Sequence, residues 1–119
     1  MLAPDLIGQW KGTIHTPEGE VPFTLGVAES GEARAWVASR ECLVTGLALA
    51  GEYVTGTVPA ELPTRDTSRR PHHISLDLKR RGDILNGAVI AMSSSSEEGG
   101  APEKRIGFAL GHWAELRRA

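Results

Sequence analysis

The chain has 119 residues, 40% hydrophobic and 24% charged, with a formal net charge of −2; this is the composition of one folded domain, 1–119, and not of a disordered chain. No run approaches the roughly 18 consecutive apolar residues of a membrane-spanning helix, and Met1-Leu2-Ala3-Pro4-Asp5 has neither the basic nor the apolar region of a secretion signal. These features predict a cytoplasmic domain with no membrane partner, and a lone cysteine, Cys42, excludes an internal disulfide and a multi-cysteine metal site.

Residues 1–60 carry three basic and seven acidic side chains (net −4), and residues 61–119 carry ten and eight (net +2). Neither half has the basic stripe with interleaved aromatics that nucleic-acid binding uses, so no nucleic-acid partner is predicted.

Apolar residues recur with period two between short clusters of turn residues, the pattern of half-buried strands. Segment one is Leu6 to Thr16, closed by Pro17-Glu18-Gly19. Segment two is Val21 to Glu29, closed by Ser30-Gly31, and segment three is Ala33 to Ser39. Segment four, Cys42 to Leu49, turns at Ala50-Gly51-Glu52 into segment five, Tyr53 to Val58. A Pro- and Arg-rich loop, Pro59 to Pro71, leads to segment six, His72 to Lys79, and Arg81-Gly82-Asp83 turns it into segment seven, Ile84 to Met92. A Ser- and Gly-rich loop, Ser93 to Glu103, precedes segment eight, Arg105 to about Leu116. Helix is confined to a turn near Pro4 to Leu6 or within the 59–71 loop, because no window shows sustained helical periodicity. Eight strands joined mostly by tight turns predict an all-β fold, an eight-stranded antiparallel up-and-down β-barrel; a two-sheet sandwich is the alternative.

Gly8-Gln9-Trp10-Lys11-Gly12 resembles the Gly-x-Trp motif that opens the first strand of lipocalins, avidins and other calycin barrels. The resemblance implies that Trp10 plugs the closed end of the barrel and that an arginine of the last strand, Arg117 or Arg118, packs across its indole. An ordinary core tryptophan is the competing reading. With no signal sequence and no disulfides, the chain is similar to the small intracellular lipocalin-like barrels, whose functions are diverse. It also resembles nitrobindin-like haem barrels, which share Gly-x-Trp-x-Gly and carry a haem-ligating histidine ahead of a terminal Leu-Arg-Arg; that resemblance implies His112, ahead of Leu116-Arg117-Arg118, as the ligand of a haem cofactor.

Side chains alternate across a strand, so the aliphatic face of each segment is assigned to the interior. This places Gly8, Trp10, Gly12 and Ile14 inside on segment one, Val21, Phe23, Leu25 and Val27 on segment two, and Leu43, Leu47 and Leu49 on segment four. Ile106, Phe108, Leu110, His112, Ala114 and Leu116 share the inner face of segment eight, and His72 joins Ile74, Leu76 and Leu78 on segment six. Segments three, five and seven are ambiguous; segment three sets Arg34 and Trp36 against Ala33, Ala35 and Val37.

An eight-stranded barrel is just wide enough to be filled by side chains or to hold one small ligand. Few aromatics and several inward Gly and Ala predict an under-filled lumen that binds a small apolar or aromatic molecule. Its contacts are Trp10, Phe23, Arg34, Trp36, His72, Phe108 and His112. The alternative is a cofactor-independent isomerase or cyclase with His112 or His72 as acid or base, since an imidazole kept neutral by burial can donate from one nitrogen and accept at the other. A core histidine bonded to a neighbour is the plainer reading of His112. No nucleophile elbow, zincin, Walker or calcium-loop motif is present, and His72 and His73 face opposite sides of a strand, so no metal site is predicted. Arg65, Arg69 and Arg70 could clamp an anion at the barrel mouth, although charged loops are mostly solvated. Trp113, facing outward, is a candidate contact for a homodimer.

Overall fold

Period-two alternation of large aliphatics with polar residues requires a surface on which every second side chain is buried, and a sheet curled on itself supplies it without bare edges. The computed structural model describes residues 6–63, 73–93 and 108–119. They form β1 (Gly8–Thr16), β2 (Gly19–Val27), β3 (Ala33–Val37), β4 (Arg40–Ala50), β5 (Tyr53–Val58), β6 (His73–Arg81), β7 (Ile84–Ser93) and β8 (Phe108–Arg118). Neighbours in sequence pair antiparallel throughout, and β1 pairs with β8 from Trp10↔Arg118 to His15↔Trp113, closing the barrel. The fold is therefore an up-and-down barrel, not a sandwich. Leu6 lies in a 3-10 turn and no helix occurs among the described elements.

Both ends of the axis are set by the register. At one end lie the β2–β3, β4–β5 and β6–β7 turns with the start of β1 and the end of β8; at the other lie the β1–β2 and β3–β4 turns with the end of β5 and the starts of β6 and β8. Between them Ile14, Phe23, Leu25, Val54, Ile74, Leu76, Leu78, Leu85 and Leu116 are fully buried. Leu62, in the segment read as loop, is also fully buried, four residues after the end of β5.

Two elements differ from the period-two reading. On β4 the register shifts between Thr45 and Ala48, with Gly46 at φ +65° in the bulge. Cys42 and Val44 face inward before it, opposite Ala35 and Ala33, and Leu47 and Leu49 pack against the core after it. Leu43 is thereby turned outward and 46% exposed, a correction to its assignment inside. An extra residue in one strand of a pair resets which parity faces the core. On β3 the ambiguity resolves toward the small residues: Ala33, Ala35 and Val37 are buried, and Arg34 and Trp36 stand outside.

The β3–β4 turn stores backbone strain. Ala38 and Ser39 both have positive φ, 51° and 74°, in a two-residue hairpin loop. This left-handed pair suits Asn-Gly and costs other residues about 1 kcal/mol or more each. Replacing Ala38-Ser39 by Asn-Gly is expected to raise stability by about 1–2 kcal/mol. Urea unfolding should show a higher midpoint with an unchanged slope.

Candidate functional site

The plug end is built from the opening motif and the end of β8. Trp10 is fully buried, and its Nε1 donates to the Leu6 carbonyl at 3.0 Å. The Arg118 guanidinium lies over the indole with its carbon 4.2 Å from the ring centre. The same guanidinium donates to the Ile7 carbonyl through Nη1 at 2.8 Å and to the Asp83 carboxylate through Nε at 3.0 Å. Of the two terminal arginines it is thus Arg118 that crosses the tryptophan, while Arg117 is exposed. Gly8 makes room for it: φ is +123°, and a side-chain carbon there would stand 3.3 Å from Arg118 Nη1. Arg80 also belongs to the inward row of β6 near this end, and it is half-buried.

Among the described residues the opposite end is less covered. β8 stays paired with β7 down to Phe108↔Ser93, whereas its pairing with β1 ends at Trp113↔His15. Residues 108–112 of β8 therefore stand beyond the described pairing with β1. Leu110 is on the inward row, opposite the fully buried Ala91, yet it is 37% exposed. His112, on the same row and opposite the buried Val89, has an Nε2 that is buried and has no hydrogen-bond partner among the described residues. A buried polar nitrogen with no partner is rare in folded proteins and asks for a guest, a water or an ion.

Phe23, another expected contact, is inward and 1% exposed, flanked by Gly12 on β1 and Val37 on β3; it is core rather than mouth. Trp10 is likewise sealed at the plug, away from His112. Arg34 and Trp36 do not line the lumen, which corrects their assignment as lumen contacts. Arg34 is exposed and bridges Glu32 and Glu41, at 3.0 Å each, and the Glu32 bond first, its charge second and then Glu41 raise its pKa. Trp36 lies across Gly26, where a side-chain carbon would meet the ring at 3.2 Å, so the indole covers a gap in the outer face. His72 lies outside the described residues, as do Arg65, Arg69 and Arg70, and of Phe108 only the backbone is described.

Three cavities bounded by described residues, of about 280, 220 and 310 Å³, lie along the outer face and the rim, and none includes His112. Among the described residues the inward positions between the ends are fully buried, and His112 and Leu110 are the inward positions of β8 toward the end opposite the plug. The haem reading needs a porphyrin-sized slot beside that imidazole. The inward neighbours described there, Ile14, Val89 and Ala114, are fully buried.

Cys42 offers no second reactive group. Burial, and after it the Glu41 carboxylate, push its thiol pKa up, and its hydrogen goes to the Ala35 carbonyl at 3.6 Å. Among the described residues no three His, Cys, Asp or Glu side chains gather as a metal site, and no helix is long and apolar enough to cross a membrane. The geometry defines the class: a closed eight-stranded barrel, plugged at one end by an arginine-capped tryptophan, with a histidine facing the other. Compared with protein-family models, curated proteins and solved structures, the chain matches none of them.

Proposed function

We propose that this chain is a lipocalin-like barrel that binds one small apolar or aromatic molecule at the mouth opposite the Trp10 plug, with His112 as the polar contact. The observation that carries the reading is the buried, unpartnered Nε2 of His112 beside the half-covered Leu110. A ligand hydroxyl, carbonyl or amide at that nitrogen would satisfy it while its apolar part covers Leu110. The Gly8-Gln9-Trp10 opening with Arg118 across the indole supports the calycin-like assignment, because it reproduces the arrangement those barrels share. A lone cysteine held as thiol is in keeping with a reducing compartment such as the cytoplasm. Binding fits the described mouth better than catalysis does, since a single imidazole with no carboxylate or activated thiol on its row lacks the paired groups of an acid–base site.

Titration with an environment-sensitive apolar dye is expected to saturate near one per chain and to be reversed by small aromatic alcohols. His112→Leu is expected to weaken the hydroxylated competitors about tenfold and to leave their hydrocarbon analogues unchanged, the difference of one buried hydrogen bond. Dye uptake that never saturates, or an equal loss for both competitor sets, would overturn the proposal.

A further inference from the structure

The outer face of β5–β8 carries a second feature that the mouth does not explain. Register places Tyr53, Lys79, Asn86 and Glu115 in one cross-strand row and Thr55, Asp77, Ala88 and Trp113 in the next. Tyr53 and Trp113 are 54% and 55% exposed and both line the cavity of about 310 Å³. They sit three strands apart, about 14 Å across the sheet at the usual interstrand spacing. Between them the outward positions are Lys79, Asn86, Asp77 and the small Ala88.

Both rings stay half in water although burying a large aromatic is strongly favourable. Trp36, the other outward tryptophan, covers Gly26; among the described residues Trp113 covers no such gap, and Tyr53 carries the Lys79 ammonium, 5.8 Å from its ring centre. Along the groove, the side chains of Asp77, Asn86 and Arg81 make no hydrogen bond or ion pair with any described residue, while Lys79 is held by Glu52 at 3.5 Å. The groove therefore offers two flat apolar platforms, a carboxylate acceptor, an amide and a guanidinium, with charges of both signs. A neutral polyhydroxylated ring matches this set: its C–H face stacks on an aromatic, and its hydroxyls both donate to Asp77 and accept from Asn86 and Arg81.

Other occupants match it less well. A second copy of the chain would bury Asp77 and Arg81 at the centre of a dry contact, where charged side chains are depleted. A nucleic acid needs net positive charge along its phosphates, and here Lys79 is neutralised by Glu52 while Asp77 opposes Arg81. We infer that the groove between Tyr53 and Trp113 is a saccharide-binding site for a short neutral oligosaccharide, separate from the barrel mouth.

The test is calorimetric titration of the full chain with neutral hexasaccharides built on glucose, xylose and N-acetylglucosamine. At least one series is expected to bind, and Trp113→Ala and Tyr53→Ala are each expected to lower its affinity about tenfold or more, the loss usual for an aromatic anchor. Both residues are exposed, so the variants should keep the wild-type circular dichroism spectrum and melting temperature. Asp77→Ala should weaken binding without touching either ring. His112→Leu should bind saccharide as wild type does, which separates this site from the mouth. Absence of binding across all three series, or wild-type affinity in both aromatic variants, overturns the inference. So does a concentration-dependent dimer dispersed by Trp113→Ala, which would assign the face to a second copy.

Discussion

Alanine at Gly12 is expected to cost more than about 4 kcal/mol, far outside the range of ordinary single-methyl substitutions. Gly12 stands opposite Leu116 on the seam where the first strand meets the last. A side-chain carbon there would fall on the Glu115 carbonyl oxygen, 2.7 Å from its carbon and 2.8 Å from the Leu116 Cα. All three atoms are backbone, so no flexible side chain can swing aside, and relief requires the seam to widen. Widening loses register pairs from Trp10↔Arg118 to His15↔Trp113 and bares two strand edges at once. Against a total stability of roughly 5–15 kcal/mol for a domain of this size, that is enough to populate open, self-associating molecules. Gly111→Ala is the control on the same strand, since nothing lies within 4 Å of its added carbon. It should be neutral within about 0.5 kcal/mol. Urea unfolding and sedimentation of the two variants decide the point; equal behaviour would mean that the seam yields more easily than its geometry indicates.

The same motif marks where the sequence was legible. Alternation in Val21, Phe23, Leu25 and Val27 and in Ile74, Leu76 and Leu78 identifies strands and their inner faces because each face is uniformly aliphatic. It fails where that condition fails. Segment three offers alanines on one parity and a tryptophan on the other, and size points the wrong way: Trp36 stays outside because Gly26 on β2 leaves a hollow for it. Segment four reads as a single parity, but the bulge at Gly46 changes parity midway, so Leu43 and Leu47 end on opposite faces. No local signal short of the β5 pairing distinguishes that glycine from a plain strand residue.

The site was legible to a smaller extent. His112 follows Phe108 and Leu110 on an inward row, and parity alone places its imidazole. How much room surrounds it depends on volume, which parity does not carry. Leu62 illustrates the difference, since it lies in a Pro-rich stretch with loop chemistry and is nevertheless fully buried. The outer groove was hidden for another reason: Tyr53, Asp77, Asn86 and Trp113 come from four strands, and only the register brings them side by side. The exposure of Trp113, by contrast, follows from the sequence.

At the plug the expected effects are ordered by burial. Trp10→Ala removes a fully buried indole and its bond to Leu6, and is expected to cost about 3–5 kcal/mol. Arg118→Ala removes the cover over that ring and the bonds to Ile7 and Asp83, for an expected loss of about 2 kcal/mol. Asp83→Ala should cost less than about 1 kcal/mol, because the Asp83 side chain is 80% exposed and its attraction is screened by water and salt. Arg118→Lys keeps the charge but has no planar fork to reach the Ile7 carbonyl and Asp83 together while lying flat on the indole, so it should recover only part of the loss. A double-mutant cycle on Trp10→Leu and Arg118→Ala isolates the stacked contact, expected at about 1 kcal/mol of coupling. Coupling near zero, with Trp10→Ala still severe, would reduce the plug to an ordinary buried tryptophan and remove the arginine from its architecture.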